Sequence, residues 1–195
     1  MNPVDENFRL TDSNDRIGQP LISELHIQQR TSQLAKQIAS DFRNKEIVVV
    51  IVLKGAFVFA SDLLRRLNNA ELRPLVDFVR ASSYGSGTDS GGSVEFSLDV
   101  SIPLEGRDVL LIDDIADSGG TLTLLRDRLY SRGACSVKCC VLLDKPSRRK
   151  VEFQPDYVGF EIPDRFVVGY GLDFDERFRC LPYIIKLENI EGSPE

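Results

Sequence analysis

Three aspartates and a run of hydroxyl and glycine residues share nine consecutive positions, Asp113-Asp114-Ile-Ala-Asp117-Ser118-Gly119-Gly120-Thr121. Carboxylates can accept hydrogen bonds from sugar hydroxyls, stand beside a hydrated divalent cation, or take a proton as a general base. Glycines at a helix start let backbone N–H groups converge on a phosphate, and Ser118 and Thr121 add hydroxyl donors. The apolar run Val109 to Ile112 precedes this segment and the helical pattern Leu122 to Leu129 follows it. A buried strand ending in paired acids, then a phosphate cradle, matches the carboxyl edge at which open α/β sheets bind ligands. Acids beside an uncharged cradle suit a phosphorylated sugar.

Other chemistries fit the residues less well. Asp113-Asp114-x-x-Asp117 has the spacing of the DDxxD metal site of terpenoid synthases, but those acids lie on a helix of an all-helical fold. A response-regulator receiver also ends a strand in paired acids, yet has no Ser-Gly-Gly-Thr cradle after them. No GxxxxGK[ST] occurs, which removes a nucleotide-hydrolysing P-loop.

The elements that must position these groups can be read from apolar period. Ile47 to Leu53 is a continuous β-branched run, the mark of a strand buried on both faces in a parallel sheet. Leu75 to Arg80, Asp108 to Ile112 and Ser136 to Leu143 repeat that signal. Ile27, Leu34, Ile38 and Phe42 share a helical face behind a capping Ser23, and Phe57 to Leu67 and Leu122 to Tyr130 read as further helices. The alternation predicts a doubly wound, mainly parallel α/β sheet flanked by helices. Ser93 to Ser101 alternates apolar and polar residues and is expected as a half-exposed antiparallel flank. Tyr157 to Ile162, Phe166 to Val168 and Tyr183 to Leu187 are expected as short strands of a small cap or hood. Between Ser82 and Ser93, four glycines among small polar residues read either as a flexible hairpin loop or as a lid that orders over bound substrate, and Tyr84 at its base favours the lid.

The 195 residues, 42% hydrophobic and 28% charged, fit a single domain with a core over about residues 22–187 and a hood built from C-terminal and N-terminal segments. A formal net charge of -6 gives no global field to gather nucleic acid. The four cysteines contain no CxxC pair, and adjacent Cys139-Cys140 suits a reduced chain. With no apolar span and no apolar leader, the chain is read as soluble, unexported and cytosolic, without a membrane partner.

Several stretches together resemble a known family. Ile112 to Thr121 is similar to the motif by which type I phosphoribosyltransferases bind PRPP (5-phosphoribosyl 1-pyrophosphate). Val52-Leu-Lys54-Gly55-Ala-Phe57 resembles the pyrophosphate loop of hypoxanthine and hypoxanthine-guanine phosphoribosyltransferases, and Ser83-Tyr84 the start of their lid. Asp156 to Asp173, with Pro163-Asp164-Arg-Phe166 inside it and Arg179 beyond, resembles their purine hood.

The resemblance implies transfer of a ribose 5-phosphate from PRPP to a 6-oxopurine, with magnesium as cofactor. By it, Asp113 and Asp114 bind the ribose hydroxyls and position magnesium, and Asp117 is the general base facing N7. Ser118, Gly119, Gly120 and Thr121 hold the 5-phosphate; Lys54, Gly55 and Arg179 hold pyrophosphate. Lys145 reads the exocyclic O6, Phe166 stacks on the base, the Val167 backbone meets its edge, and Asp173 closes the purine pocket and ligates magnesium. The bond before Lys54 is expected to be cis. A homodimer or homotetramer is also implied. Two positions depart from the commonest pattern, Asp113 in place of Glu and Gly120 in place of a larger residue; both bear on PRPP affinity. Taken alone, Lys145 reads as a solvated lysine and Phe166 as a core aromatic. His26 is assigned a surface or packing role, and Arg148-Arg149-Lys150 a solvated turn from which Arg149 could reach pyrophosphate. The rival readings are a PRPP-sensing regulator of the same fold and a xanthine- or guanine-preferring enzyme.

Overall fold

Every residue of Ile47–Val52 is buried, and its side chains alternate between two separate apolar cores. That strand therefore lies in the middle of a sheet covered on both faces. The computed structural model describes residues 19–83 and 94–187. In chain order its elements are β1 (Pro20–Ile22), α1 (Glu24–Asp41), β2 (Ile47–Val52), α2 (Phe57–Asn69), β3 (Leu75–Ser83) and β4 (Val94–Leu98). They continue with β5 (Asp108–Ala116), α3 (Gly120–Ser131), β6 (Ser136–Asp144), β7 (Tyr157–Glu161), β8 (Val167–Val168) and β9 (Ile184–Lys186). A single 3-10 turn, Pro146–Arg148, follows β6.

The main sheet has the order β4-β3-β2-β5-β6-β7, parallel throughout except for β4, which pairs antiparallel with β3. Ile47, Val49 and Ile51 pack with Ile27, Leu34 and Ile38 of α1 and with Phe59, Leu63 and Leu67 of α2. Val48, Val50 and Val52 pack on the other face with Leu122, Leu125 and Leu129 of α3. Two helices on one face and one on the other make the sheet doubly wound. Ser23 caps α1 as its sequence position predicts, its Oγ accepting from His26 N at 3.4 Å. His26 itself is exposed.

The structure corrects one element. Tyr157 to Ile162 is not part of the cap; β7 is the edge strand of the main sheet, parallel to β6 with Cys140 opposite Tyr157 and Leu143 opposite Phe160. A parallel return usually carries a helix across the sheet. Here residues 145–156 make the crossover with only the 3-10 turn, so no helical period marked it.

The hood is a small antiparallel sheet, β1-β9-β8, that joins the N-terminal and C-terminal parts of the described chain. Among its contacts with the body are two that fix the turn at Tyr170 and Gly171. The Tyr170 hydroxyl donates to Asp62 Oδ2 on α2 at 2.6 Å. At Gly171, whose φ is +104°, a Cβ would lie 2.1 Å from the Gly55 carbonyl oxygen, so only glycine lets the two segments meet.

The seam between β6 and β7 is equally close, since a Cβ on Gly159 would stand 2.3 Å from Leu142 O. The carbonyls of Val158 and Gly159 also accept from Arg30 of α1 at 2.6 Å and 2.9 Å. Gly159→Ala is expected to cost about 1–3 kcal/mol. For a chain of this length that lowers the melting temperature by roughly 2–12 °C. Thermal denaturation checks this, and an unchanged midpoint would contradict the close seam.

Candidate active site

Because β5 and β6 run parallel, with Asp113 opposite Val141 and Ala116 opposite Asp144, their carboxyl ends open on the same edge. The strand extends through Ala116, so Asp113 and Asp114 lie within it rather than after it, and successive side chains point to opposite faces. Asp114 lies against the loop before α2, where a Cβ on Gly55 would stand 1.6 Å from Asp114 Oδ2. The Leu53–Lys54 bond of that loop is cis. Asp113 is buried, and its carboxylate accepts the Asp114 N–H at 2.9 Å. Among the described residues, neither acid is ion-paired with a basic side chain. Burial, reinforced by the Asp114 charge, pushes Asp113 well above the usual carboxylate range, and burial raises Asp114 as well.

After β5 the chain turns at Gly119 (φ +84°) into α3, which has no side-chain cap. The α2 helix likewise starts without one, directly after Lys54 and Gly55. Two uncapped helix N-termini thus point their spare N–H groups toward the same edge. Asp113, Asp117, Ser118, Gly119 and Thr121 line a pocket of about 240 Å³ at the start of α3. Gly120 opens the helix, and a Cβ there would touch only Ser118 Oγ, at 3.7 Å, so the site has room for a larger residue.

A second cleft of about 370 Å³ adjoins it, sharing Asp114, Ile115 and Asp117. Its floor carries Lys145, and its hood side carries Phe166, Val167 and Asp173. The Lys145 side chain is about 10% exposed and its Nζ stands 3.6 Å from Asp164 Oδ1. Phe166 is no core aromatic: it is 38% exposed and packs edge-to-face with Phe174, ring centroids 5.8 Å apart. Across the cleft mouth Arg148 Nε donates to Asp117 Oδ1 at 3.1 Å, while its Nη1 donates to Asp164 Oδ2 at 3.3 Å.

Around the α2 start, Lys54 Nζ donates to Glu176 Oε1 at 2.7 Å and Arg179 Nη2 donates to Glu176 Oε2 at 3.0 Å. Arg179 also pairs with Asp173 at 2.9 Å and donates to the Gly171 carbonyl at 2.8 Å. The loop cations and the hood are therefore already linked.

The structure gathers the aspartates, the hydroxyl loop, Lys145, Phe166, Val167 and Asp173 around the two adjoining spaces, with Lys54, Gly55 and Arg179 beside them. Ser83 ends β3, its backbone paired with Val94, while Tyr84 and the rest of the expected lid lie outside the described residues. Sequence reasoning gave no role to Glu176 or Asp164 and misread Arg149. Arg148 is exposed as expected, but Arg149 turns inward, donating to the Ala116 carbonyl at 2.8 Å and pairing with the Asp144 carboxylate. Nothing in a basic tripeptide signals such a turn.

Residues 22–175 match the model of the phosphoribosyl transferase domain. A bifunctional protein TilS/HprT from Listeria monocytogenes is 48% identical over 169 residues, which are 86% of this chain but 26% of that protein, so the chain spans about a quarter of that relative's length. The hypoxanthine-guanine phosphoribosyltransferase of Aquifex aeolicus is 45% identical, over 87% of this chain and 94% of its own length. A crystal structure of a hypoxanthine-guanine phosphoribosyltransferase from Bacillus anthracis superposes with a TM-score of 0.83 at 45% identity, covering 88% of this chain and 99% of that one.

The buried acid pair makes a stability statement. A carboxyl whose pKa is raised on folding penalises the folded state as pH climbs from its unfolded pKa through the folded one, and costs nothing below both. Asp113→Asn removes that penalty. In excess chelator at pH 7 the variant should melt about 2–4 °C higher, the shift that 1 kcal/mol gives a chain of this size. The gain should vanish as pH falls to the ordinary carboxylate range. A lower melting point at pH 7 would contradict the repulsive pair.

Proposed function

The chain belongs to the phosphoribosyltransferase family, among its hypoxanthine-guanine members, and on that premise we propose that it transfers the 5-phosphoribosyl group of PRPP to N9 of hypoxanthine, and of guanine. The products are the 5′-nucleotide and pyrophosphate, a purine-salvage reaction. The observation that carries this reading is a single groove in which Asp117 and Lys145 face Phe166 and Val167, continuous with the uncapped start of α3.

In this mechanism the purine lies against Phe166, with O6 accepting from Lys145 and its edge at the Val167 backbone. A 6-amino group in place of O6 would meet a cation with no acceptor to offer, which selects against adenine. Asp117 takes or shares the N7 proton as N9 attacks C1′. The α3 start, with Ser118 and Thr121, holds the 5-phosphate. Asp113 and Asp114 accept from the ribose hydroxyls. Lys54 and Arg179 receive charge growing on the departing pyrophosphate once Glu176 yields them.

Magnesium fits the donors present. Asp113, Asp114 and Asp173 offer hard oxygen ligands, and among the described residues the first two carry no ion pair. Among the described residues no group of three or more His, Cys, Asp or Glu side chains is placed to hold a metal ion alone, so waters and substrate oxygens would have to complete its coordination. When bound it would neutralise the pyrophosphate leaving group.

The free, buried thiols of Cys139 and Cys140 support a reducing cytoplasmic compartment, and among the described residues no helix is long and apolar enough to cross a membrane. Exposed Phe57, Val76 and Phe78 support a homodimer or homotetramer.

Asp117→Asn keeps shape and hydrogen bonding but removes the base. Its kcat with hypoxanthine should fall about 10²–10⁴-fold. Steady-state assay, with and without chelator, checks both the base and the metal requirement. Turnover close to the parent's in the variant, or full parental activity in excess chelator, would remove that group from the mechanism.

A further inference from the structure

Alone in the Arg148-Arg149-Lys150 run, Arg149 is turned inward, its side chain about 15% exposed. Its Nη1 donates to Ala116 O at 2.8 Å, to Asp117 O, and to Lys145 O at 3.4 Å. Its Nε donates to Phe153 O at 3.1 Å, and its Nη2 pairs with the Asp144 carboxylate. The next residue completes the set, since Lys150 N–H donates to Ser118 O at 3.0 Å. The stem of Arg149 also fills the space beneath the turn, its Cδ 3.3 Å from where a Gly119 side chain would begin.

Three consecutive carbonyls, those of residues 116–118, are thereby held from one side. In a trans peptide the C=O and N–H point in opposite directions. The N–H groups of Asp117, Ser118 and Gly119 therefore face the other way, and within the described residues none of them has an acceptor. Asp117, Ser118 and Gly119 line the pocket of about 240 Å³ at the start of α3.

We infer that Arg149 is a positioning residue that aims these three N–H donors at the substrate's 5-phosphate and fixes Asp117 opposite Lys145, without touching substrate itself. The inference rests on the proposed transfer reaction. A guanidinium is suited to the task, because five N–H groups in a planar fork can serve a carboxylate and several carbonyls at once. A lysine ammonium keeps the charge facing Asp144 but cannot span those acceptors.

Removing Arg149 alone would leave the Asp144 carboxylate buried and unpaired, which destabilises a fold regardless of any role in binding. The test therefore uses the double variant Asp144→Asn with Arg149→Gln, and separately Arg149→Lys. General destabilisation lowers the active fraction and so kcat, but leaves KM for PRPP where it was. Misaimed donors instead raise that KM. Both variants should show KM for PRPP raised about ten- to hundredfold, IMP affinity by calorimetry lowered in parallel, and KM for hypoxanthine changed less. The double variant should melt within a few degrees of the parent; should it fail to fold, Arg149→Lys decides alone. A KM for PRPP within about twofold of the parent's in either folded variant would overturn the inference. If the parent itself forms no nucleotide from PRPP and any 6-oxopurine, the proposed function fails and takes this inference with it.

Discussion

The parallel pairing of β5 with β6 is the constraint on which the rest of the site depends. It sets Ala116 opposite Asp144, and the ladder continues one residue past β6 as Lys145 N–H donates to Ala116 O at 3.0 Å. Asp117 and Lys145, the proposed general base and base-reading lysine, thus adjoin because two strand ends are adjacent. A one-residue slip would turn Asp113 and Asp114 to the wrong faces, since side chains alternate along a strand. The slip is prevented by packing: odd and even residues of β2 feed separate cores, and neighbouring β5 divides Leu110 and Ile112 from Val109 and Leu111 in the same way. Burial on two faces makes the register costly to change.

Against that rigid frame, the functional groups are held at some cost to stability. Asp113 and Asp114 are neighbouring carboxylates that have no basic ion-pair partner among the described residues, and burial disfavours their charge. Gly169, Tyr170 and Gly171 all adopt positive φ, uncommon for a tyrosine, in the turn that brings the hood down to Gly55. Tyr170 is compensated by its bond to Asp62. Strain and unpaired charge gathered at one edge are the expected mark of a site shaped for a ligand rather than for the free protein.

The parts of this arrangement that were legible in the sequence are those encoded locally. The apolar runs of β2, β5 and β6, the hydroxyl and glycine loop after Asp117, and the cap at Ser23 each announce themselves within a dozen residues. The family resemblance implies a shared purine site for Lys145, Phe166 and Asp173, and all three line one cleft. What stayed hidden depends on distant contacts. Glu176 matters because Lys54, 122 residues earlier, folds against it. Arg149 reads as a solvated cation until the Ala116 carbonyl, 33 residues away, is brought beside it. β7 was assigned to the hood because its crossover lacks the helix by which a parallel return is normally recognised.

The central claim is that this groove joins a 6-oxopurine to PRPP. The most direct measurement incubates the purified chain with PRPP and magnesium and either hypoxanthine or adenine, and quantifies pyrophosphate and 5′-nucleotide together. The account requires equimolar pyrophosphate and nucleotide with hypoxanthine, and no nucleotide with adenine. Pyrophosphate release indifferent to the base, or adenine consumed as readily as hypoxanthine, would contradict it.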